Sequence, residues 1–519
     1  MQRIPALDSI RGLFLVMMTL NHLIWISGGQ SFLMSVSQQP LGQFGAAAGF
    51  ILLSGFLAGA VYGKKALPCN ELVGKAWGRA FSIYRHHLFC LGVIFAWLAL
   101  SYLALPLVFN VLVNNMPNLI DAPLSSVLLS ALLINKPNYL DILPLYVMFM
   151  LLLPFCVYAY QKGAMWLVLL ISGAVWAGSG YIHEGQLQAV LALLPFELKY
   201  QVGYFDPFAW QFLFIAGSAC GYLAHKPDLR WYNPVVAIVV AIVTAVLFVM
   251  HHGAFLAWGI HPGVLYALGD KPELGWLRLL NVGVWAYLVA VVIHLRPTWL
   301  DIKPLSYIGR HSLQVFTWHI VLIYLAAPLL FTNRFASYYN LLVLVCLASI
   351  WIPAWVREQP DKTQRIKRWA GGCGFAMVAM VVLTLAIKPG QKEEVVADAQ
   401  GLAPLSVEVK NLRGSAPVLV MVYAENDDLM GMPSAHVQSY SVEEATDGIT
   451  INGLEVGKYA IFAYQDADNN HQFTMGPGGM PQEAFGYSNN PAIQGMPSMA
   501  QIQFSHPEKA HQVIQFIYL

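Results

Sequence analysis

A cation and an imidazole lie in one apolar segment near the start of the chain. Arg11 and His22 fall between Ile10 and Ser27, in a stretch with no other charged residue. Eleven residues turn an α-helix by about 1100°, within roughly 20° of three full turns, with a rise of about 16 Å. The two side chains therefore share a helix face, with Arg11 at the mouth of the segment and His22 well inside the hydrocarbon layer. Because ionisable groups are costly there and usually functional, the pattern predicts a polar reaction inside a bilayer; a hydrogen-bonded packing histidine is the alternative.

A second histidine occupies a similar position late in the chain. Arg310 and His311 precede an apolar segment, and His319 follows eight residues after His311. On a helix that spacing places His319 about 12 Å deeper. Two embedded histidines approached from one side favour a shared function over two separate packing residues. We expect His22 and His319 to converge on one polar tunnel.

Further polar groups lie beside the first two apolar segments. Asp8 precedes Arg11 by three residues and can pair with it on a helix. Ser54 and Gly55 interrupt a second apolar run, where a kink formed by small residues is the alternative explanation. Asp8 and Ser54 are therefore candidates for contacts to a polar substrate.

Two arginines and an aspartate complete the set of candidates. Arg79 and Arg85 lead into the third apolar segment, although the orientation of the chain in the membrane would by itself explain arginines there. Asp141 stands at the outer end of the fourth segment, where a carboxylate often only caps a helix. As a functional group it would instead face molecules outside the membrane.

The elements that position these residues are membrane helices. The chain has 519 residues, of which 57% are hydrophobic and only 11% are charged, as in a polytopic membrane protein. A run of about twenty apolar residues spans a bilayer, and Pro123–Ile134 is shorter, so we predict a re-entrant or interfacial helix there. Eleven spans are predicted, near residues 10–27, 43–63, 85–106, 142–160, 165–181, 207–224, 234–251, 278–295, 312–332, 339–355 and 370–388.

The distribution of basic residues orients the chain. With a cytoplasmic N-terminus, 18 of the 29 lysines and arginines lie inside, and only five lie in outer loops. An odd number of spans then places the C-terminal tail in the periplasm of a Gram-negative cell, with the chain in the inner membrane. The net charge of +1 carries no information about nucleic acid, and the basic residues are dispersed over cytoplasmic loops, where they orient the chain and could hold an anionic ligand. We expect membrane lipids and no nucleic acid among the partners.

The composition changes after the last predicted span. We predict a membrane domain over residues 1–388, a polar linker over 389–403 and a periplasmic all-β sandwich domain over 404–519. Leu405–Val409 alternates apolar and polar residues, as a half-buried strand does. Val418–Tyr423, Lys458–Tyr464 and Gln512–Leu519 are short runs rich in β-branched or aromatic residues, typical of buried strands.

The tail also carries a candidate calcium loop and a set of aromatic residues. Asp466, Asp468 and Asn470 alternate as at the start of such a loop, but His471 and Pro477 stand where a turn glycine and a glutamate are expected. A network of Asx turns is the alternative to Ca²⁺ binding. The aromatic residues either form a carbohydrate-binding surface or fill the sandwich core; they are Tyr459, Phe462, Tyr464, Phe485 and Tyr487.

These motifs, in order, resemble a known group of membrane enzymes. Arg3–His22, with its Arg-x10-His spacing, resembles the first helix of transmembrane acyltransferases of the acyltransferase family 3 type. Phe50–Leu57 is similar to the Phe-x-x-x-Ser-Gly-Phe signature of that group, and Tyr307–His319 to its late Gly-x-x-Ser…Trp-His segment. Tyr139–Tyr146 resembles the OpgC branch, which is linked to succinylation of osmoregulated periplasmic glucans. Tyr459–Asn470 and Glu483–Asn490 resemble a periplasmic domain family of unknown function.

The resemblance, which covers roughly residues 1–370, implies O-acyl transfer from a cytoplasmic acyl-CoA to hydroxyls of a periplasmic glucan. Succinyl-CoA is the donor implied by the OpgC branch, as a co-substrate and not a tightly bound cofactor. His22 would act as general base or as nucleophile, and His319 would orient it, contact CoA or stabilise an oxyanion. Asp141 would meet the glycan hydroxyls. The residues expected to bind CoA or substrate are Asp8, Arg11, Ser54, Arg79, Arg85 and Arg310.

Two other functions fit the same features. Midplane polar groups and interrupted helices also suit a glycan transporter or flippase, although no inverted repeat is visible. Alternatively, the membrane part would only anchor a periplasmic glycan-binding domain. Glycan movement without acylation would favour the first alternative.

Overall fold

The structure is a computed structural model that describes most of the chain in two compact units. One is helical and lies within residues 1–384, and the other is built of strands and lies within residues 385–519. The described residues are 4–29, 31–116, 119, 122–180, 203–226, 229–254, 268–334, 336–361, 363–365, 368, 402–427, 429, 431, 433–467, 469, 473–474, 481, 483–491, 497 and 499–517.

The helical unit follows the apolar periodicity of the sequence. Its described α-helices are α1 Pro5–Ile26, α2 Ala46–Tyr62, α3 Cys69–Ala104, α4 Pro106–Leu112, α5 Pro123–Ala131, α6 Ile142–Gln161, α7 Met165–Ala177, α8 Pro207–Leu223, α9 Pro234–Val249, α10 Trp276–Leu295, α11 Lys303–Arg310, α12 Ser312–Thr332, α13 Tyr339–Ala348 and α14 Trp351–Arg357. Proline begins α1, α4, α5, α8 and α9, where its missing N–H would have no partner in any case.

Seven helices among the described residues are long and apolar enough to cross a membrane. They are Pro5–Ile26, Cys69–Ala104, Ile142–Gln161, Pro234–His252, Trp276–Leu295, Ser312–Thr332 and Tyr339–Arg357. Helices of 17, 13 and 17 residues, α2, α7 and α8, occupy three more of the predicted spans. The predicted span 370–388 lies outside the described residues. The protein is therefore a helical membrane protein, while the count of eleven spans and the cytoplasmic N-terminus stay predictions.

The first helix packs closely on α11 through two glycines. A Cβ added to Gly12 would collide with the carbonyl oxygen of Leu305, and one added to Gly309 would collide with that of Asp8. Small residues allow the backbones of membrane helices to approach in this way. Gly12 and Gly309 therefore belong to one helix crossing. This crossing holds the N-terminal end of α1 beside the start of α12.

A second glycine contact joins α2 to α8. Each helix contributes two glycines four residues apart, and a Cβ on any of them would collide with a carbonyl oxygen of the other helix. The pairs are Gly55 and Gly59 on α2 and Gly217 and Gly221 on α8. Gly55 of the Phe-x-x-x-Ser-Gly-Phe motif is thus a packing residue, and α2 is continuous from Ala46 to Tyr62 without a break at Ser54.

Helix α12 lies at the centre of this unit. Nearly all of its residues are buried, including His319, whereas most residues of the outer helix α9 are exposed. Apolar side chains on α9 face outward, as they do on a helix that contacts lipid tails. A histidine buried in the central helix must find its partner inside the protein.

In the part of the second unit that the structure describes, eight strands form two sheets. They are β1 Leu402–Lys410, β2 Val418–Ala424, β3 His436–Tyr440, β4 Ile449–Glu455, β5 Gly457–Gln465, β6 Phe485–Tyr487, β7 Phe504–His506 and β8 His511–Gln515. One sheet has the order β4-β1-β8, with β1 antiparallel to β4 and parallel to β8. The other has the order β3-β2-β5-β6, and β7 also pairs with β5. The predicted linker, residues 389–403, lies outside the described residues except for its last two, which belong to β1.

The two sheets share one apolar core, as in a sandwich. Alternate residues of the facing strands fill it, including Leu405, Val407 and Val409 of β1 and Val418, Val420 and Val422 of β2. Tyr459 joins this core, and the other four candidate aromatics form a second buried cluster with Ile502. All five are buried, so they are core residues and do not form the aromatic binding surface that was the other possibility.

Candidate active site

Helices α1 and α12 bring the two predicted histidines together. Nδ1 of His22 lies 2.9 Å from Nε2 of His319, within hydrogen-bond distance, and the rings are nearly parallel at 27°. His319 is fully buried, whereas His22 is partly exposed. Nδ1 of His319 has no hydrogen-bond partner among the described residues. The pair leaves Nε2 of His22 as the imidazole nitrogen that can meet a substrate.

His22 lies nearer the end of its helix than the apolar segment suggested. The segment Ile10–Ser27 places it past the middle, but α1 begins at Pro5 and ends at Ile26, so His22 stands in its last turn and a half. The loops that follow the predicted outer helix ends can therefore reach the histidine pair.

Aromatic rings surround His22 on the side of these loops. The ring centroid of Tyr139 lies 4.7 Å from that of His22, and that of Trp25 lies at 5.9 Å. Tyr139 has a φ of 70°, in the left-handed region that bulky residues rarely adopt. Strained backbone of this kind clusters at functional sites. Tyr139 belongs to the segment that resembles the OpgC branch, and its strained conformation places its ring on His22.

Asp141 reaches the same region but does not cap its helix. No side-chain cap is present at the start of α6; instead Oδ2 of Asp141 accepts a hydrogen bond of 2.9 Å from the N–H of Tyr204. Its Oδ1 has no hydrogen-bond partner among the described residues. Burial raises the pKa of Asp141 to about 6, opposed by the charge of Lys136 and by the bond from Tyr204. The helix-cap alternative is therefore wrong for Asp141.

Two lysines near Asp141 were not singled out from the sequence. Lys136 is buried, and Lys271 is partly buried with its ammonium over aromatic rings. The charge of each acts on Asp141. The sequence could have indicated both lysines. They belong to the five basic residues that the predicted topology leaves in outer loops, where basic residues are sparse.

Arg11 lies at the opposite end of α1, against the start of α12. Its guanidinium donates a hydrogen bond of 2.5 Å to the hydroxyl of Ser312 and lies 5.7 Å from the ring centroid of Phe50. The hydroxyl of Tyr146 donates to the carbonyl of Phe50 at 3.1 Å, and Ser54 lies beside that hydroxyl. The motifs around Arg11 and Ser54 are therefore parts of one polar site between helices.

A cluster of positive charge lies next to Arg11. Arg79 and Arg85 are exposed on α3, and their charges act on His86 of the same helix, as does that of Arg357. The ring nitrogen Nδ1 of His86 lies 3.0 Å from the hydroxyl of Thr317 on α12. The charge of Arg79 also acts on Arg11. We call Arg11, Arg79, Arg85, His86 and Arg357 the basic mouth; His86 and Arg357 were not among the predicted site residues.

Asp8 and Arg310 lie at the edges of the basic mouth. The carboxylate of Asp8 lies within electrostatic range of Arg11. Arg310 forms a salt bridge of 3.6 Å with Glu358, which also lies 3.3 Å from Nε2 of His311. Arg310 is thus already partnered, and a role in binding an anionic substrate would require Glu358 to share it.

The tail provides only part of the candidate calcium loop. Asp466 is buried, while Asp468 and Asn470 lie outside the described residues. Glu483 is buried and its carboxylate accepts hydrogen bonds of 2.9 Å from the N–H groups of Ala467 and Thr474, so backbone donors already use the nearby carboxylate. No group of three or more metal-binding side chains occurs among the described residues. Calcium binding stays a prediction.

Comparison with known proteins identifies the family. A family model described as OpgC protein matches residues 3–362. The chain belongs to the OpgC family. Residues 407–515 match a second model, described as an uncharacterised protein conserved in bacteria, DUF2141. No curated protein matches the chain, and no solved structure does. Membership in the OpgC family indicates an acyltransferase-like membrane protein, in which the histidine pair and the basic mouth lie on the matched helices.

Proposed function

We propose that this OpgC-family protein transfers an acyl group, in particular succinyl, from cytoplasmic acyl-CoA to hydroxyls of a periplasmic glucan. The observation that carries the proposal is the contact of 2.9 Å between Nδ1 of His22 and Nε2 of His319. A lone packing histidine would not need a second imidazole as its partner. The proposal includes an inner-membrane location with the N-terminus in the cytoplasm.

The basic mouth is the proposed site for the phosphates of CoA. Guanidinium groups bind phosphate through two parallel hydrogen bonds, and three of the four arginines here are exposed. The polyanionic part of CoA would stay at the mouth, because it cannot enter a hydrocarbon layer. The thioester arm would extend along α1 towards His22, past Phe50 and Ser54. At the edge of this site, Asp8 would add a negative charge and Arg310 a positive charge.

The histidine pair supplies the proton transfer. When Nδ1 of His22 carries the proton and its N–H donates a hydrogen bond to Nε2 of His319, Nε2 of His22 holds a free lone pair. That nitrogen takes the proton of a glucan hydroxyl as its oxygen attacks the thioester carbonyl carbon. The tetrahedral intermediate then collapses, the C–S bond breaks, and the CoA sulfur receives the proton from His22. His319 acts as a positioning residue that fixes the tautomer and shares the imidazolium charge.

The acceptor would approach from the side of Tyr139 and Asp141. Oδ1 of Asp141 is available as an acceptor for a sugar hydroxyl, and the ring of Tyr139 covers His22. We propose that residues 1–388 form the enzyme and that the tail, joined by the linker 389–403, binds or positions a periplasmic carbohydrate or protein partner. Acceptor and donor would then meet at His22 from opposite faces of the membrane.

Transfer across the membrane of inverted vesicles tests this function. Glucan is loaded inside the vesicles, and succinyl-CoA labelled in its acyl group is added outside. The expected result is labelled ester on the enclosed glucan, with one free CoA thiol released per ester. Failure of succinyl-CoA and of every other acyl-CoA to label glucan would overturn the proposal, and glucan movement without acylation would identify a transporter.

A truncation separates the enzyme from the membrane-anchor alternative. The chain ending at Ala386 lacks the whole β unit but retains the histidine pair and the basic mouth. Full acyl transfer by this truncated chain would exclude an anchor as the sole function of the membrane part. A truncated chain that accumulates normally and binds acyl-CoA but transfers nothing would assign an essential function to the tail.

A further inference from the structure

Lys271 carries a positive charge inside an aromatic enclosure next to the histidine pair. Its ammonium nitrogen lies 5.2 Å from the ring centroid of Tyr204, 5.3 Å from that of Trp25 and 5.8 Å from that of Phe205. No carboxylate of the described residues lies within salt-bridge distance of it. Aromatic rings attract a cation but do not neutralise it. The part of the enclosure that the structure describes therefore holds a cation without a directly bound anion.

The enclosure shares a wall with the catalytic pair. Trp25 contacts both groups, with its ring 5.9 Å from that of His22 and 5.3 Å from the Lys271 ammonium. The charge of Lys271 also acts on His22. An acyl group whose carbonyl carbon is at His22 can therefore extend along the indole of Trp25 towards Lys271.

The charges around the site are unbalanced. Among the described residues, the positive charges of Lys136, Lys271 and Arg278 meet here the carboxylates of Asp141 and Asp206, so three cations accompany two anions. Partly buried cations cost solvation free energy unless an anion compensates them. A bound anion would remove the imbalance, and it would do so within reach of the reacting atoms.

We propose that Lys271 binds the free carboxylate of the transferred acyl group and thereby selects dicarboxylic acyl donors. The proposal rests on the proposed acyl transfer and assigns its donor specificity to one residue. The carboxylate at the far end of the acyl chain accepts hydrogen bonds from the ammonium, while Trp25 packs on the methylene groups between. An acyl chain of the same length that ends in a methyl group would leave the ammonium unpaired, so it would bind less tightly.

Competition between succinyl-CoA and butyryl-CoA tests the assignment, because the two acyl chains have the same length and differ in the terminal carboxylate. The ratio of labelled succinyl to butyryl esters is measured for the native chain, Lys271→Met, Lys271→Arg and Lys162→Met. Lys162 is a matched control, since its ammonium lies 5.4 Å from a single ring, that of Tyr158. The butyryl rate also reports whether each variant folds.

The expected ratio favours succinyl at least tenfold in the native chain, Lys271→Arg and Lys162→Met. In Lys271→Met it falls at least tenfold, because succinyl transfer drops while butyryl transfer is kept or rises. An unchanged ratio in Lys271→Met, or equal loss of both transfers in Lys271→Met and Lys271→Arg, would overturn the assignment. Absence of both transfers in the native chain would instead overturn the proposed function.

Discussion

Nδ1 of His22 and Nε2 of His319 lie 2.9 Å apart, although 297 residues separate them in the chain. Each neutral imidazole has one donor and one acceptor nitrogen, so this contact links the tautomer of one ring to that of the other. Only the tautomer with the proton on Nδ1 of His22 leaves its Nε2 unprotonated. The proposed base therefore depends on an acceptor at the position of His319.

Substitutions of His319 test its role as that acceptor. His319→Leu removes the acceptor and should lower kcat by on the order of 10²–10⁴-fold, with little change in KM for acyl-CoA. His319→Gln can place its Oε1 near the position of Nε2, so its kcat should be at least tenfold higher than that of His319→Leu. Equal kcat values for the two variants would show that His319 only fills space. Acyl transfer by purified protein measures both parameters.

Substitutions in the basic mouth should weaken donor binding without slowing the chemical step. Arg79→Gln and Arg357→Gln each remove a charge near His86, so we expect KM for acyl-CoA to rise about tenfold, equivalent to about 1.4 kcal/mol. Lys75→Gln is the matched control, because Lys75 lies on the same helix and already pairs with Glu71. Initial rates at 50 and 300 mM salt check this, since the difference in KM between the variants and the native chain should be smaller at high salt. A fall in kcat alone would contradict phosphate binding there.

The glycine contact between α2 and α8 should be intolerant of larger side chains. Gly55→Val introduces atoms that collide with the backbone of Phe214, and overpacking costs about 1–3 kcal/mol or more. We expect its thermal unfolding midpoint in detergent to fall by several degrees. Gly283→Val on α10 is the control, because a Cβ there meets nothing within 4 Å. Equal midpoints for the two variants would argue against close packing at Gly55.

Ser488 is expected to hold two elements of the β unit together. Its hydroxyl accepts from the N–H of Ile461 at 2.8 Å and donates to the carbonyl of Ile502 at 2.6 Å. Ser488→Ala leaves both buried groups unpaired, which should cost about 2 kcal/mol. Hydrogen exchange of the full chain should show faster exchange in peptides that contain β5, with the helical unit unchanged. Exchange equal to that of the native chain would contradict this role.

Donor selection by Lys271 should depend on pH. Burial lowers the pKa of Lys271 to about 8, with a further lowering by Arg278 and an opposing effect of Asp141. Lys271 is therefore protonated below pH 8 and loses its charge as the pH rises through that value. We expect kcat/KM for succinyl-CoA to fall by about tenfold per pH unit above 8 relative to butyryl-CoA, which shares any effect of His22. A ratio that stays constant between pH 7 and 9.5 would contradict the charge on Lys271 as its cause.

The spacing of residues along single helices was enough to predict the histidine pair. Arg11 and His22 share a face through helical periodicity alone, and two embedded histidines suggested convergence. The atoms in contact, however, depend on how α1 packs against α12, which Gly12 and Gly309 control through a contact between distant segments. Single-sequence periodicity carries no information about such a crossing.

Residues in loops were harder to predict than those on helices. Lys271 reaches the histidine pair from a loop, and Tyr139 does so through a backbone conformation with φ of 70°. Neither has a periodic pattern that would place it near His22. In the tail, alternation predicted β1 and β2, but the pairing of β1 with β8 in parallel joins the two ends of the domain and follows from the tertiary fold.

The rate of acyl transfer by His22→Ala shows whether His22 is the base that removes the proton of the acceptor hydroxyl. The native chain, His22→Ala and His294→Ala are compared at equal amounts in inverted vesicles, with labelled succinyl-CoA outside and glucan inside. His294 is an exposed histidine at the end of α10 and serves as the matched control. We expect His22→Ala to lose transfer by on the order of 10²-fold or more, while His294→Ala keeps the native rate. Transfer at the native rate by His22→Ala would show that His22 is not the catalytic base.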